Sequence, residues 1–462
     1  MSKFTDVIVA GARFGYEQYA YRAPMKFGGR VVENATILNV ALDVRDRSGN
    51  EVFGCGSMPM GNTWSWPSNR LDCDRTLEAM LKLVGRMAGA IADASGGEHL
   101  DPFQHGLLIE KLALSEAKGV EREMRLAEPI PKLCALVCAS SFDAAVHDGF
   151  GKLAGRSVWN CYGEEHLNRD LGEYLDAGFS GEYPLSYVRA EPKPRMPLYH
   201  LVGALDPLVD ADLGSRTGDG LPETLCEWIV RDGLTHLKIK LNGDDLDWDV
   251  ERVLAVDRVA DETAPKRAWQ YSLDFNEKCA DVEYLLEFLR RLEAGSAGAL
   301  SRVQYIEQPT ARDLAANPGN RMHEAAKVKP VVIDESLTGL DSLLLAREMG
   351  YSGAALKACK GQTGSLLMAA AAARRGLFLC VQDLTCPGAS FMHSASLAAH
   401  VPGASGVEGN ARQYCPAAND GWRERFGGVF TCEDGTVETG AIAGPGLGCV
   451  PVGERLPGTD GA

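Results

Sequence analysis

The chain has 462 residues, 45% of them hydrophobic and 24% charged, which is enough for a large core and two domains and leaves no room for a disordered class. Its formal charge of −16 argues against nucleic acid and against an anionic membrane surface as partners. No signal-peptide pattern and no apolar run of about 18 residues is visible, so the expected setting is cytoplasmic with no membrane association. The thirteen cysteines are scattered without a CxxC pair and read as reduced, buried thiols; this includes Cys134 and Cys138, four apart on an apolar helix.

Residues 1–190 open with segments that alternate apolar and polar residues around Gly, Asn and Asp, which predicts an antiparallel meander. Helical periodicity follows over 73–94, 107–122 and 131–155. The proline-rich run 182–199 reads as a linker. From about residue 203 a strand, a polar loop and a helix recur, the helices falling at 248–261, 282–294, 341–350, 365–376 and 389–400. Strands alternating with helices of this length predict a parallel sheet with right-handed crossovers, closed into a (β/α) barrel over residues 191–410. The Gly- and Pro-rich residues 411–462 are expected to return to the first domain. The fold class is therefore α/β, a modified TIM barrel of (β/α)7β type with an N-terminal α+β capping domain completed by the C-terminal tail.

In such barrels the active site lies at the carboxyl ends of the strands. Five consecutive strand ends here carry charge: LKIK (237–240), SLDFN (272–276), QYIEQP (304–309), VVIDES (331–336) and AALKACK (354–360). Alternate residues of a strand share a face, so Lys238 and Lys240 project together into the mouth. Asp274, Glu307 and Asp334 follow on three neighbouring strands, and oxygen ligands with open positions suit a hard divalent cation, Mg²⁺ first and Mn²⁺ second. Lys357, four strands beyond Lys240, stands across an eight-strand mouth from it. A lysine beside another cation and near a metal should have a lowered pKa, which makes Lys240, with Lys238 as helper, and Lys357 two proton carriers on opposite faces of a planar intermediate. A lone lysine or carboxylate at a strand end is ordinarily a solvated charge or a helix cap; five in register defeat that reading.

The ordered set KIK, DFN, IEQP, IDES and LKACK resembles the enolase superfamily, in its mandelate racemase/muconate lactonizing enzyme family, and is closest in pattern to the muconate lactonizing subgroup. FDAAVHDGFGKLAGRSVWNCYG (142–163) resembles that family's capping-domain helix signature, and GPGLG (444–448) its C-terminal signature. The resemblance implies Asp274, Glu307 and Asp334 as magnesium ligands, Lys240 and Lys357 as the acid/base pair with Lys238 assisting, and Glu335 as the neighbouring acid. The chain departs from the family in reading KACKGQTGS where two adjacent glycines are usual, which leaves Lys360 able to share the role of Lys357.

The resemblance also implies two mobile capping-domain loops that close over the mouth, at 22–29 and 54–66, so Lys26, Asn62 and Trp64 become candidate substrate contacts; the Met and Trp residues of the second loop could instead anchor a partner subunit. Asn276, Glu335, Asp383 and Glu408 face the same pocket. The expected activity is Mg²⁺-dependent removal of the proton α to a small substrate's carboxylate to give an enolate. The leading outcome is racemisation or epimerisation; dehydration of a sugar acid or hydroxylated acid, cycloisomerisation, and a non-catalytic relative are the alternatives. A homo-oligomer is expected.

Overall fold

The computed structural model describes residues 2–27 and 30–460. Three antiparallel strands, β1 (Val7–Phe27), β2 (Arg30–Asp46) and β3 (Glu51–Pro59), form the first sheet in the order β1-β2-β3. Three helices pack on it: α1 (Cys73–Ala90), α2 (Pro102–Met124) and α3 (Lys132–Leu153). Eight parallel strands then close a barrel, β4 (Met196–Val202), β5 (His236–Lys240), β6 (Gln270–Asp274), β7 (Val303–Glu307), β8 (Val331–Ile333), β9 (Gly353–Leu356), β10 (Phe378–Val381) and β11 (Ala404–Glu408), with β11 pairing back to β4. The first barrel strand begins inside the proline-rich run read as linker, because that run's end pairs with β5 on one side and β11 on the other.

Helix α3 explains the most about the capping domain. It is rich in Ala, Ser, Gly and Cys, so other elements approach closely from every side, and its residues Leu133 through Lys152 are all buried. A Cβ on Gly54 or Gly56 of β3 would sit 2.0 Å from the carbonyl oxygen of Ala145 or Ser141 on this helix. These glycines are thus the contact surface of a buried strand and not the hinges of a loop. That corrects the expectation for 54–66: residues 54–59 are strand, Asn62–Ser65 is a single helical turn, and Met58, Met60, Trp64 and Trp66 are 0–3% exposed, so none offers a subunit anchor. Over 22–29, Arg22 through Phe27 continue β1, and after an irregularity between Ala20 and Met25 the last three pair with β2 (Met25 with Val32, Lys26 with Val31, Phe27 with Arg30); Gly28 and Gly29 lie outside the described residues. The expectation of no membrane-length apolar segment also needs correcting. Helix α3 is long and apolar enough by composition, with mean hydropathy 1.2 over its best window, but that window is wholly buried inside the protein.

A single apolar core runs from the capping sheet (Leu38, Val40) through α3 (Val137, Phe142) to the barrel strands (Ile239, Leu273). A second, smaller cluster of Tyr199, Tyr305, Val332, Ala355 and Cys380 fills the barrel interior. The tail crosses back to the capping domain: Leu447 N–H donates to Asp148 of α3 at 2.9 Å and the Asn39 amide donates to the Pro457 carbonyl at 3.1 Å. All thirteen cysteines are free thiols, and eleven of them are buried.

Buried histidines give the fold a pH dependence. Burial pushes His393 and His400 down to about 4, and burial with the nearby Arg412 holds His200 well below the ordinary histidine range. At these imidazoles the unfolded chain therefore binds more protons than the folded one below about pH 6.5, and their contribution to stability is lost as pH falls from there toward 4. Between pH 7 and pH 4.5 the unmodified protein should lose on the order of several kcal/mol more, by urea unfolding, than a His393→Gln/His400→Gln variant. An equal change in both proteins would contradict the burial of these imidazoles.

Candidate active site

Strand alternation builds the site in layers. Inside the barrel, Tyr305, Val332 and Ala355 belong to the filling below, and two residues further along the same strands the inward positions are Glu307, Asp334 and Lys357. Pairing places Lys240 level with Asp274, and Asp274 level with Glu307. Lys238 enters two residues lower, level with Ser272, and its long side chain rises to the acids. Asp334 and Lys357 each sit one residue beyond the last paired residue of β8 and β9.

All these groups are buried, and the ammoniums lie among the carboxylates. Lys240 is 2.5 Å from Asp274 at one end of the acid row; Lys357 is 2.7 Å from Asp334 at the other. Lys238 bridges the middle, 3.1 Å from Asp274, 2.8 Å from Glu307 and 3.0 Å from Glu408. Lys360, buried as well, is 3.0 Å from Asp334 and donates to that residue's carbonyl at 2.6 Å. Gln382 donates to Glu307. The two expected proton carriers therefore stand on opposite flanks of the three acids, each against a different one.

The acids act on two of these lysines in the direction opposite to a neighbouring cation or metal. Burial lowers the pKa of Lys357, but Asp334 beside it outweighs burial and raises the ammonium above its ordinary range; Lys238, among three acids, is raised for the same reason. Burial likewise works against ionisation of Asp274 and Asp334, yet Lys240 and Lys357 respectively hold them below the usual carboxylate range. Glu307, desolvated and beside Asp274, is pushed well up, and burial with Asp334 takes Glu335 to about 8.

The donor set suits a hard divalent cation in charge and in chemistry. Among the described residues no three acidic, His or Cys side chains already converge as a ligand set; the ammoniums lie between the oxygens. Six buried carboxyls (Asp274, Glu307, Asp334, Glu335, Asp383, Glu408) face four buried ammoniums (Lys238, Lys240, Lys357, Lys360), a surplus of two negative charges. Burial first and the neighbouring acids second raise Glu307 and Glu335, and one Mg²⁺ would cancel the surplus. Glu335 Oε2 is buried without a hydrogen-bond partner, as is Asn276 Nδ2.

The remaining candidates separate. Trp64 reaches from the capping domain into the barrel: its indole N–H donates to Glu335 at 3.1 Å, and its ring lies 4.3 Å from the Lys357 ammonium, a cation–π contact. Arg312, paired with Glu277, donates to the Trp64 carbonyl at 3.0 Å and fixes that turn. Asn276 has φ 46°, held by its N–H donating to Asp274 at 2.8 Å. Glu408 accepts from Asn410 at 2.6 Å, and Asp383 accepts three backbone N–H groups, from Leu384, Cys386 and Asn410, which makes it the fastener of its loop. Asn62 lines the cavity but spends its amide N–H groups on Cys73 and Thr76. Lys26 does not line it; its ammonium donates to Asn242 at 3.1 Å. The cavity above the acids has about 770 Å³ of empty volume including its opening, and part of its wall, Tyr21, Leu77, Leu201 and Leu384, carried no signal in the sequence, being apolar residues on separate elements.

A capped (β/α)7β barrel with three acids on adjacent strand ends and a lysine at either flank defines an enolase-type fold. The sequence profile of the enolase C-terminal domain-like family matches residues 221–455, half of the chain, and the chain belongs to that family, in the mandelate racemase/muconate lactonizing branch of the enolase superfamily. No curated protein sequence matches it. Similar solved structures include a dipeptide epimerase from Cytophaga hutchinsonii complexed with Mg and the dipeptide D-Ala-L-Val (15% identity, 98% of this chain and 97% of that one, TM-score 0.62). An enolase from Bradyrhizobium complexed with magnesium and mandelic acid is comparable (16%, 97% and 97%, 0.60), as is a muconate lactonizing enzyme from Pseudomonas fluorescens complexed with muconolactone (18%, 96% and 96%, 0.58). At these identities the likeness is one of fold.

Proposed function

We propose that the protein is a Mg²⁺-dependent racemase or epimerase that removes and returns the proton α to the carboxylate of a small acid. The observation that carries this reading is the placement of Lys240 and Lys357 at opposite ends of the acid row. Magnesium in two of the similar structures supports the choice of cation. Asp274, Glu307 and Asp334 would hold the ion, which when bound supplies positive charge to the substrate carboxylate and to the charge that builds as the α-proton leaves.

The chain's own groups do the rest. Lys238, tied to Glu307 and Glu408, orients the central acid, and Lys360 does the same for Asp334. With a cation held by the acids, the flanking ammoniums would be displaced and their charged form disfavoured; one lysine, as the neutral amine, then takes the α-proton from its face of the substrate and the other, as the ammonium, delivers a proton to the opposite face, which inverts the centre. The burial of both amines keeps bulk water from the intermediate. A dehydratase would use the same first step and then expel a hydroxyl group.

Incubation of a panel of chiral α-H carboxylates with enzyme and Mg²⁺ in D2O tests the proposal. Both stereoisomers of the true substrate should be recovered carrying α-deuterium, and EDTA should stop the exchange. A 2-keto acid product would replace this reading with dehydration; no exchange from any carboxylate would remove both.

A further inference from the structure

We propose, building on the reaction just described, that the substrate is a monocarboxylate whose distal group is uncharged and apolar, held by the capping domain's share of the cavity. The cavity wall divides by chemistry. Every charged residue lining it belongs to the barrel: Lys238, Lys240 and Lys357 with Asp274, Glu307, Asp383 and Glu408. The capping domain contributes the stretch from Tyr21 to Leu77, and none of its described lining residues is charged. Tyr21, Met25, Met60 and Leu77 present apolar surface there beside the neutral polar Asn34, Thr36, Asn62 and Thr63, and Leu201 and Leu384 continue it from the barrel side.

The cations that flank the β1 and β2 part of this wall are engaged elsewhere. Arg22 is paired with Asp219 and donates to the carbonyls of Leu221 and Pro222. Lys26 donates to Asn242, and Arg30 to the Ser68 carbonyl and to Cys73. A second carboxylate on the substrate would thus leave water for a wall with no counter-charge, which is unfavourable, whereas an alkyl, thioether or aryl group gains by burial on the same surface.

Two ligands of equal length separate the possibilities without turnover. Isothermal titration of the enzyme in saturating Mg²⁺ should show hexanoate binding at least about tenfold more tightly than adipate, its dicarboxylate counterpart. Asn34→Lys, at an exposed position on the cavity rim, should narrow or reverse that preference by supplying a cation; Leu77→Lys tests the same point deeper in the wall. Adipate binding as tightly as hexanoate to the unmodified protein would overturn the proposal while leaving the enolate chemistry standing. If neither acid binds while Mg²⁺ does, the carboxylate-binding reading falls and takes the proposal with it.

Discussion

Lys357→Ala abolishes α-proton exchange from one stereoisomer of the substrate and spares it in the other, and Lys240→Ala shows the opposite pattern. This follows from the two amines standing at different ends of the acid row, each paired with a different carboxylate, Asp274 for Lys240 and Asp334 for Lys357. Each can reach only one face of a planar intermediate held between them. Loss of a general base typically costs about 10²- to 10⁴-fold, so each variant should lose about that much exchange on its own face and, since inversion needs both carriers, as much racemisation. The measurement is deuterium uptake into each purified stereoisomer, read separately by NMR. Lys360 is a control with a distinct outcome: it touches Asp334 from beside Lys357, so Lys360→Met should weaken Mg²⁺ binding and slow both faces together. Equal loss on both faces in the Lys240 and Lys357 variants would end the two-base mechanism.

The second large effect concerns stability. Asp148 on α3 is a buried junction of three segments: its carboxylate accepts the Cys55 N–H of β3 at 2.8 Å and the Leu447 N–H of the tail at 2.9 Å, and it pairs with Lys152 at 2.6 Å. Lys152 is itself buried and, among the described residues, otherwise donates only to the Phe53 carbonyl, at 3.0 Å. Asp148→Ala leaves a buried ammonium without its counter-ion and two buried N–H groups without acceptors. Breaking a buried pair from one side costs about 3–5 kcal/mol, so the urea midpoint should fall sharply. Asp148→Asn with Lys152→Met removes both charges together and should recover most of that loss. If the single and double variants unfold alike, the pair is not what joins the tail to the capping domain.

The two motifs that meet at this junction, in 142–163 and 444–448, were visible in the sequence as separate signatures, although nothing in either showed that Asp148 and Leu447 would touch. The barrel and the order of its charged strand ends were legible because alternation and the strand–helix repeat are local patterns. What failed was reading that depends on tertiary surroundings. Gly54 and Gly56 look like loop hinges until α3 is laid across them. Lys26 looks like a substrate cation until Asn242 takes its ammonium. At Lys238 and Lys357 a neighbouring acid outweighs a neighbouring cation and raises the ammonium, and only the folded chain shows which is nearer. The cavity wall left no trace, since Leu77 and Leu384 are indistinguishable from core residues one at a time.

The central claim is that Asp274, Glu307 and Asp334 together bind one divalent cation between two opposed lysines. The most direct test is a crystal grown with Mn²⁺ in place of Mg²⁺, with the metal located by its anomalous scattering. The account predicts one peak ligated by those three carboxylates, with Lys240 and Lys357 on either side of it. A peak held by other residues, or both amines on the same side of the metal, would contradict it.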